Sequence, residues 1–133
     1  MKVVPMASDS LGVRSMATYV ETKDCKILID PSAALGPKRY GLPPAEQEIT
    51  ALEKTKNEIV RAAKQCDILT ISHYHYDHVR PGFTDFMHTF GSREELQRMF
   101  EGKTVLAKDA KSHINHSQKR RAHSFQKDLD RIV

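Results

Sequence analysis

The sequence predicts a mixed α/β domain in which helices cover a sheet. Three observations lead to this fold class. Three strand-like segments come in a run at the start of the chain, strands then alternate with helical patterns, and the predicted order is β-β-β-α-β-α-β-α. The chain has 133 residues without an internal repeat, which is the length of about one domain. We therefore treat residues 1–133 as a single domain.

The first three strands are predicted at residues 2–7, 15–22 and 25–30. The first is short and apolar, and its Pro5 places it at an edge or an irregular point of the sheet. The second alternates between two faces, and the third is an almost continuous apolar run. A turn at residues 23–24 joins the second and third strands, which predicts a hairpin or meander.

Residues 31–44 form a predicted loop, because they contain four prolines and two glycines. A loop of this length in a compact domain often has a role at a functional site. A helix is predicted at residues 45–65, with acidic residues early and basic residues late, as the helix dipole favours. Its apolar stripe consists of Ile49, Leu52, Ile59, Val60 and Ala63.

The second half of the pattern alternates strands and helices. A buried strand is predicted at residues 67–72 and another strand at residues 103–107. Between them, Ser92 and Glu95 form a capping-box pattern that begins a helix with Leu96, Met99 and Phe100 turned inward, and Gly102 ends it. A charged helix with a thin apolar stripe is predicted at residues 115–131.

Composition limits the classes of protein. Hydrophobic residues make up 39% and charged residues 29% of the chain, which is typical of a folded globular protein. No apolar run approaches the roughly 18 residues of a membrane helix, and the N-terminus lacks the apolar core of a signal peptide, so we expect a cytoplasmic protein. The net charge is +4, which is compatible with an anionic substrate. Cys25 and Cys66 are interpreted as small apolar residues.

The strongest functional signal is the stretch SHYHYDHVRPG at residues 72–82. Residues two apart on a strand point to the same side, so His73 and His75 are expected to leave the strand end together and to reach one metal ion. Asp77 and His78 follow where the strand becomes a loop. Imidazole and carboxylate are good ligands for zinc, iron or manganese. The alternative is a histidine-rich loop or network without metal.

The sequence HYHYDH resembles the H-x-H-x-D-H signature of the metallo-β-lactamase superfamily. The surrounding order agrees, because a strand ends in Asp30, a helix follows, and an apolar strand leads into the signature. The segment from SLGVR to YGLPP is similar to an archaeal, functionally uncharacterised branch of that superfamily. This resemblance implies that the chain is the N-terminal half of a metallo-β-lactamase-like αββα sandwich.

The resemblance also implies roles for individual residues. His73 and His75 would bind a first metal ion, and Asp77 and His78 a second. Asp77 would also be catalytic, because it would orient or deprotonate the attacking water. Asp30 would accept hydrogen bonds that fix the motif loop, although a carboxylate capping the following turn is an alternative. The implied cofactor is zinc, with two ions, and iron or manganese as alternatives.

Part of the superfamily's donor set has no match in this sequence. The pattern requires a third histidine, a bridging aspartate and a last histidine from the second half of the sandwich. Among the remaining histidines, His113 and His116 are the strongest candidates for replacements, ahead of His88 and His123. We therefore expect a second chain or a C-terminal half to complete the site, and we expect one face of the sheet to be bare and apolar.

Several basic residues are candidates for contact with an anionic substrate. Arg14 is the substrate-binding candidate, since the corresponding superfamily loop lies near the metal mouth, and an ordinary surface arginine is the alternative. Lys38, Arg39 and Tyr40 are candidates for the same mouth. The basic segment at residues 115–121 either faces a substrate channel or is a solvated helix face, and nucleic-acid binding is only weakly supported.

The predicted function is therefore that of a metal-dependent hydrolase. A metal-activated water would attack an ester, thioester, amide or phosphodiester bond. The alternative from another class is a non-catalytic, metal-stabilised basic binding module for nucleic acid or another anionic partner. A third alternative is an iron redox site, since some superfamily members hold a di-iron centre.

Overall fold

The computed structural model describes residues 1–132 and contains one mixed sheet with three helices. The strands are β1 (Lys2–Pro5), β2 (Thr18–Glu21), β3 (Lys26–Ile29), β4 (Ile68–Ile71) and β5 (Thr104–Ala107), and the helices are α1 (Glu46–Gln65), α2 (Arg93–Phe100) and α3 (His116–Ile132). A 3-10 turn lies at Asp9–Leu11. The predicted α/β class and the predicted element order are confirmed.

The sheet has the order β1-β2-β3-β4-β5. The first three strands pair antiparallel, as a meander, whereas β3, β4 and β5 pair in parallel through helical crossovers. The carboxyl ends of β3 and β4 therefore lie side by side, with Asp30 directly after one and the histidine motif shortly after the other. This neighbourhood positions the candidate site.

Strand β2 begins three residues later than predicted, because residues 15–17 make a different set of bonds. The hydroxyl of Ser15 donates to the Ser32 carbonyl at 2.6 Å and accepts from the Ala17 amide at 3.0 Å. Arg14 and Ala34 exchange two backbone hydrogen bonds of 2.9 Å. These contacts fasten the segment before β2 to the buried start of the 31–44 loop.

One face of the sheet packs against all three helices. Tyr19, Leu28, Leu69 and Val105 are paired across neighbouring strands and so lie in one row on this face. The inward residues of the helices belong to the same core cluster: Leu52, Ile59, Val60 and Ala63 of α1, Leu96, Met99 and Phe100 of α2, and Ala122 and Phe125 of α3. The predicted stripes of α1 and α2 are confirmed, except that Ile49 is only partly buried.

The opposite face of the sheet is apolar but uncovered within residues 1–132. The strand register places Val3, Val20, Ile27 and Ile68 in one row of this face. Leu106 and Ile29 lie in the neighbouring row. Val3 is 54% and Leu106 56% exposed, and none of these six side chains belongs to the core cluster. A bare apolar face of this kind was expected from the sequence.

The start of α2 differs in one respect from the predicted capping box. The Ser92 hydroxyl accepts a hydrogen bond from the Glu95 amide at 3.2 Å, as predicted. The buried Glu95 carboxylate, however, forms an ion pair with Lys56 of α1 at 2.7 Å. Tertiary contact between the two helices thus takes the place of the reciprocal half of the box.

Within residues 1–132, no helix is both long enough and apolar enough to cross a bilayer.

Candidate metal centre

The histidine motif begins just beyond β4, where the chain turns back on itself. The amides of His78 and Val79 both donate to the His75 carbonyl at 2.9 Å, which makes a tight turn. This turn returns His78 to His73, and their ring centroids are 3.9 Å apart. His73 and His75 are 4.8 Å apart by the same measure, with their rings nearly perpendicular. Tyr74 points away from them into the core, as the alternation of a strand predicts.

Asp30 holds this turn in place. The residue is buried and its φ of 47° lies in the left-handed region, which aspartate tolerates better than most residues. Its carboxylate accepts hydrogen bonds from the Ser72 amide and the Ser72 hydroxyl, both at 2.7 Å, and from His78 Nδ1 at 2.9 Å. The structure thus brings Asp30 to the motif loop instead of to the turn that follows it.

His78 lies between two carboxylates. Its Nδ1 is 2.9 Å from Asp30 and its Nε2 is 3.3 Å from Asp77. Burial works against a charged imidazole, but the hydrogen bonds to Asp30 and Asp77 outweigh it and raise the pKa of His78 to about 9. Burial also opposes ionisation of Asp77, yet the bond to His78 lowers the pKa of that carboxyl to about 2. This side of the site is therefore an ion-paired triad.

His73 and His75 form the other side of the site, and their ring nitrogens contact each other, the Ser72 hydroxyl and the Gln118 amide. Nε2 of His73 lies 3.1 Å from Nδ1 of His75, and Nδ1 of His73 lies 3.0 Å from the Ser72 hydroxyl. Burial, followed by the neighbouring His78 and His75, lowers the pKa of His73. The His73 imidazole is therefore more readily neutral than that of His78, and the neutral imidazole is the form that binds metal.

The hydrogen-bond network indicates which nitrogen of the His73 ring carries a proton. The Ser72 hydroxyl has one hydrogen and gives it to the carboxylate of Asp30, so the hydroxyl accepts from His73 Nδ1. Nε2 of His73 is then an unprotonated lone pair that faces His75. This lone pair accepts the Nδ1 proton of His75, so both nitrogens are available to a metal ion only after that proton leaves or moves to the other nitrogen of the His75 ring.

Gln118 of α3 supports the second imidazole. Its Oε1 accepts from the Tyr74 amide at 2.8 Å, which orients the side-chain amide, and its Nε2 lies 3.3 Å from Nε2 of His75. A residue more than 40 positions away in the sequence thus ties the motif to the last helix. No local pattern in the sequence indicates this pairing.

The donor atoms fit a metal ion in part. Two nitrogens bound to one tetrahedral zinc ion at 2.0–2.1 Å are about 3.3 Å apart, which is close to the 3.1 Å between His73 Nε2 and His75 Nδ1. In residues 1–132, however, no group of three His, Cys, Asp or Glu side chains has an arrangement that could hold an ion. This pair therefore fits two positions of a coordination shell.

A cavity of about 380 Å³ opens beside the motif. His75, Tyr76 and Asp77 line its inner side, and Arg14 and Lys38 line it from the two loops that the Arg14–Ala34 bridge holds together. Arg121 of α3 and His88 complete the wall, and the Arg121 guanidinium lies 4.6 Å from the centre of the Tyr76 ring. The cavity thus joins the motif to a set of cationic side chains.

Comparison with protein families decides where this arrangement belongs. The profile of the metallo-beta-lactamase superfamily matches residues 12–80, which include Asp30 and the entire H-x-H-x-D-H motif. The chain belongs to the metallo-beta-lactamase superfamily. The resemblance read from the motif is confirmed, and the mixed sheet with its helices is part of a metallo-beta-lactamase-like fold.

Several archaeal proteins that are similar to this chain are longer than it is. The UPF0282 protein of Thermococcus gammatolerans is 49% identical over 133 residues, which is 100% of this chain and 44% of that protein. The UPF0282 protein of Pyrococcus furiosus is also 49% identical, with 43% of its length covered, and that of Korarchaeum cryptofilum is 48% identical, with 41% covered. The chain therefore spans less than half the length of these curated relatives. No solved structure matches it significantly.

The structure shows which of the loop residues suggested by the sequence for substrate contact line the cavity. Arg14 and Lys38 line the cavity, as considered from the sequence. Arg39 does not, because its guanidinium is held at 2.7 Å by both oxygens of Glu48 at the start of α1. Tyr40 is fully exposed.

The remaining histidines divide in an unexpected way. His113, His116 and His123 are exposed, and within residues 1–132 none of them makes a hydrogen bond or ring contact with the motif. His88, which the sequence ranks below His113 and His116, instead lines the cavity. The sequence analysis also missed Ser72, which links Asp30 to His73.

Proposed function

We propose that this protein is a metal-dependent hydrolase whose metal donors are His73, His75, Asp77 and His78. The observation that carries the proposal is the convergence of these four side chains, held by Asp30, at one end of a cavity that a substrate can enter. Membership of a superfamily that usually binds metal ions supports the same conclusion. The cofactor we propose is zinc, with iron or manganese as alternatives.

In this proposal each side chain of the motif has a distinct task. His73 and His75 would hold one ion, and His78 with Asp77 would hold a second. A bound divalent ion lowers the pKa of a water molecule towards about 7 and polarises the bond to be cleaved. Asp77, which lies at the cavity wall, would orient or deprotonate that water.

The remaining donors are proposed to come from polypeptide beyond these 133 residues, either a C-terminal half or a second chain. Two observations support this. The curated relatives are more than twice as long as this chain, and the apolar sheet face formed by Val3, Val20, Ile27 and Ile68 is uncovered within residues 1–132. A second layer packed on that face would complete a sandwich and bring further ligands to the open pair of histidines.

The test is hydrolysis by the protein together with any polypeptide that purifies with it. A phosphodiester, a carboxylic ester and a thioester are assayed after zinc loading, with and without chelator. We expect chelator-sensitive turnover of one class, and a loss of about 100-fold or more in kcat/KM for His75→Ala and Asp77→Asn. His123→Ala, an exposed histidine on α3, is the matched control and should retain activity.

The outcome also separates the two classes of function. Full occupancy by a transition metal without turnover of any of the three substrates would contradict the hydrolase proposal and favour a metal-stabilised binding module. Turnover that chelator does not affect would contradict the role of the motif.

A further inference from the structure

We infer that Arg14, Lys38 and Arg121 form a phosphate-binding subsite in the cavity beside the motif, so that the substrate carries a phosphoryl group. This inference rests on the proposed hydrolase function, which it narrows to a class of substrate. The three residues come from separate parts of the chain, namely the loop before β2, the 31–44 loop and α3. Their meeting in one cavity is a property of the fold.

The three cations have no carboxylate partner of their own. Among residues 1–132, no acidic side chain lies within 4.0 Å of Arg14, Lys38 or Arg121. Asp77, the acidic residue in the cavity wall, is bound to His78. A cavity with three positive charges and one engaged carboxylate has a positive potential that attracts an anion.

The electrostatic effect on His88 and the ring contact of Arg121 indicate that these cations face the same cavity. Burial lowers the pKa of His88 in the cavity wall, Asp85 opposes this, and the charges of Arg121 and Arg14 lower it further. Two of the cations therefore act on one imidazole. The Arg121 side chain is held over the ring of Tyr76, so it is partly ordered before an anion arrives.

The number and type of donors favour phosphate over carboxylate. Each guanidinium offers a planar fork of N–H donors, which fits two oxygens of a phosphate, and the Lys38 ammonium adds a third point charge. A phosphoryl group supplies three oxygens and nearly two negative charges, whereas a carboxylate supplies two oxygens and one charge. The cavity of about 380 Å³ has room for a phosphate with part of the group attached to it.

The test uses inorganic phosphate and acetate as probes, titrated calorimetrically at constant ionic strength into the protein after metal removal. We expect Arg14→Gln and Arg121→Gln each to weaken phosphate binding about tenfold, since each removes charge-assisted hydrogen bonds. Lys119→Gln removes an equal charge from an exposed position on the same helix, outside this cavity, and should change binding less than twofold. Acetate should bind at least tenfold more weakly than phosphate.

Three results would overturn the inference: no phosphate binding, equal weakening in Lys119→Gln, or acetate binding as tight as phosphate. Circular dichroism is used to check that each variant is folded. Arg14→Gln is expected to fold because the Arg14 side chain is exposed. The measurement needs neither metal nor turnover, so it is independent of the hydrolase proposal. Phosphate binding without any hydrolysis would support the subsite and contradict the hydrolase proposal. Hydrolysis without phosphate binding would support the hydrolase proposal and contradict the subsite.

Discussion

The half-buried Asp77 and the buried His78 form an ion-paired triad with Asp30, whereas Nε2 of His73 faces Nδ1 of His75 at 3.1 Å. The first pair is tied by His78 to Asp30, 48 positions earlier at the end of β3, and is satisfied within this chain. In the second pair His75 lines the cavity, as Asp77 does, and within residues 1–132 the two histidines lack a third donor. The difference indicates that the fold itself supplies the hydrogen-bond partners of Asp77 and His78, the finished side of the motif, while His73 and His75, its open side, still lack donors.

The largest effect is expected where the finished side is broken, by Asp30→Ala. This change leaves Ser72 and a buried His78 without their acceptor and puts alanine at a positive φ. We expect the free energy of unfolding to fall by about 3–5 kcal/mol, as measured by urea denaturation. Asp30→Asn, which keeps one acceptor oxygen and tolerates the backbone conformation, should lose clearly less.

Asp24→Ala provides the control for that measurement, because Asp24 is an exposed carboxylate in the turn between β2 and β3. Its effect should stay within about 0.5 kcal/mol. A loss below 1 kcal/mol for Asp30→Ala would contradict the role of Asp30 as the anchor of the motif.

The next effect concerns pH and depends on the charge of His78. Its pKa is raised from 6.5 to about 9 in the folded protein, so the stabilisation is complete below pH 6.5 and is lost as pH rises through 9. After metal removal, the free energy of unfolding should therefore fall by about 1–3 kcal/mol over that window. In His78→Gln the fall should disappear, and an unchanged slope would argue against a charged His78.

The open side of the motif should respond more weakly, since its partners Ser72 and Gln118 carry no charge. Gln118→Ala removes the acceptor of the Tyr74 amide and the neighbour of His75. We expect a loss of about 1 kcal/mol in unfolding free energy and about tenfold in zinc affinity, which a competitive chelator assay measures. Gln126→Ala, on the same helix and away from the motif, should leave the zinc affinity unchanged.

The smallest effect is expected for the histidines that do not contact the motif. His113→Ala and His116→Ala should each change the zinc affinity less than twofold, and His116→Ala should change the unfolding free energy by less than about 0.5 kcal/mol. A tenfold loss of zinc affinity in either variant would identify a further ligand supplied by this chain. It would contradict the statement that the open side lacks a third donor within residues 1–132.

The sequence predicts the fold well because each element carries its own local signal. The apolar stripe of α1 and the Ser92 cap of α2 are confirmed, since 3.6-residue periodicity and capping chemistry depend on neighbours only a few residues away. Strand β2 is misjudged at its start because Ser15 is bound by a distant loop.

The site is predicted less completely, because its contacts join distant parts of the chain. The spacing of its residues identifies the motif in the sequence, but the hydrogen bonds of Gln118 with His75 and Tyr74 span 43 and 44 positions. Lys38 and Arg39 are neighbours with the same charge, yet one lines the cavity and the other binds Glu48. No pattern within a short window distinguishes such pairs, since their difference arises only when helix α1 packs beside the loop.

The central claim is that His73 and His75 supply two ligands to a metal ion whose other donors lie outside these 133 residues. The most direct measurement is the transition-metal content of the protein, purified together with any polypeptide associated with it, before and after zinc titration. We expect stoichiometric metal in the wild type and less than about a tenth of that in the His73→Ala/His75→Ala double variant. A wild-type protein that carries no transition metal and gains none on titration would contradict it.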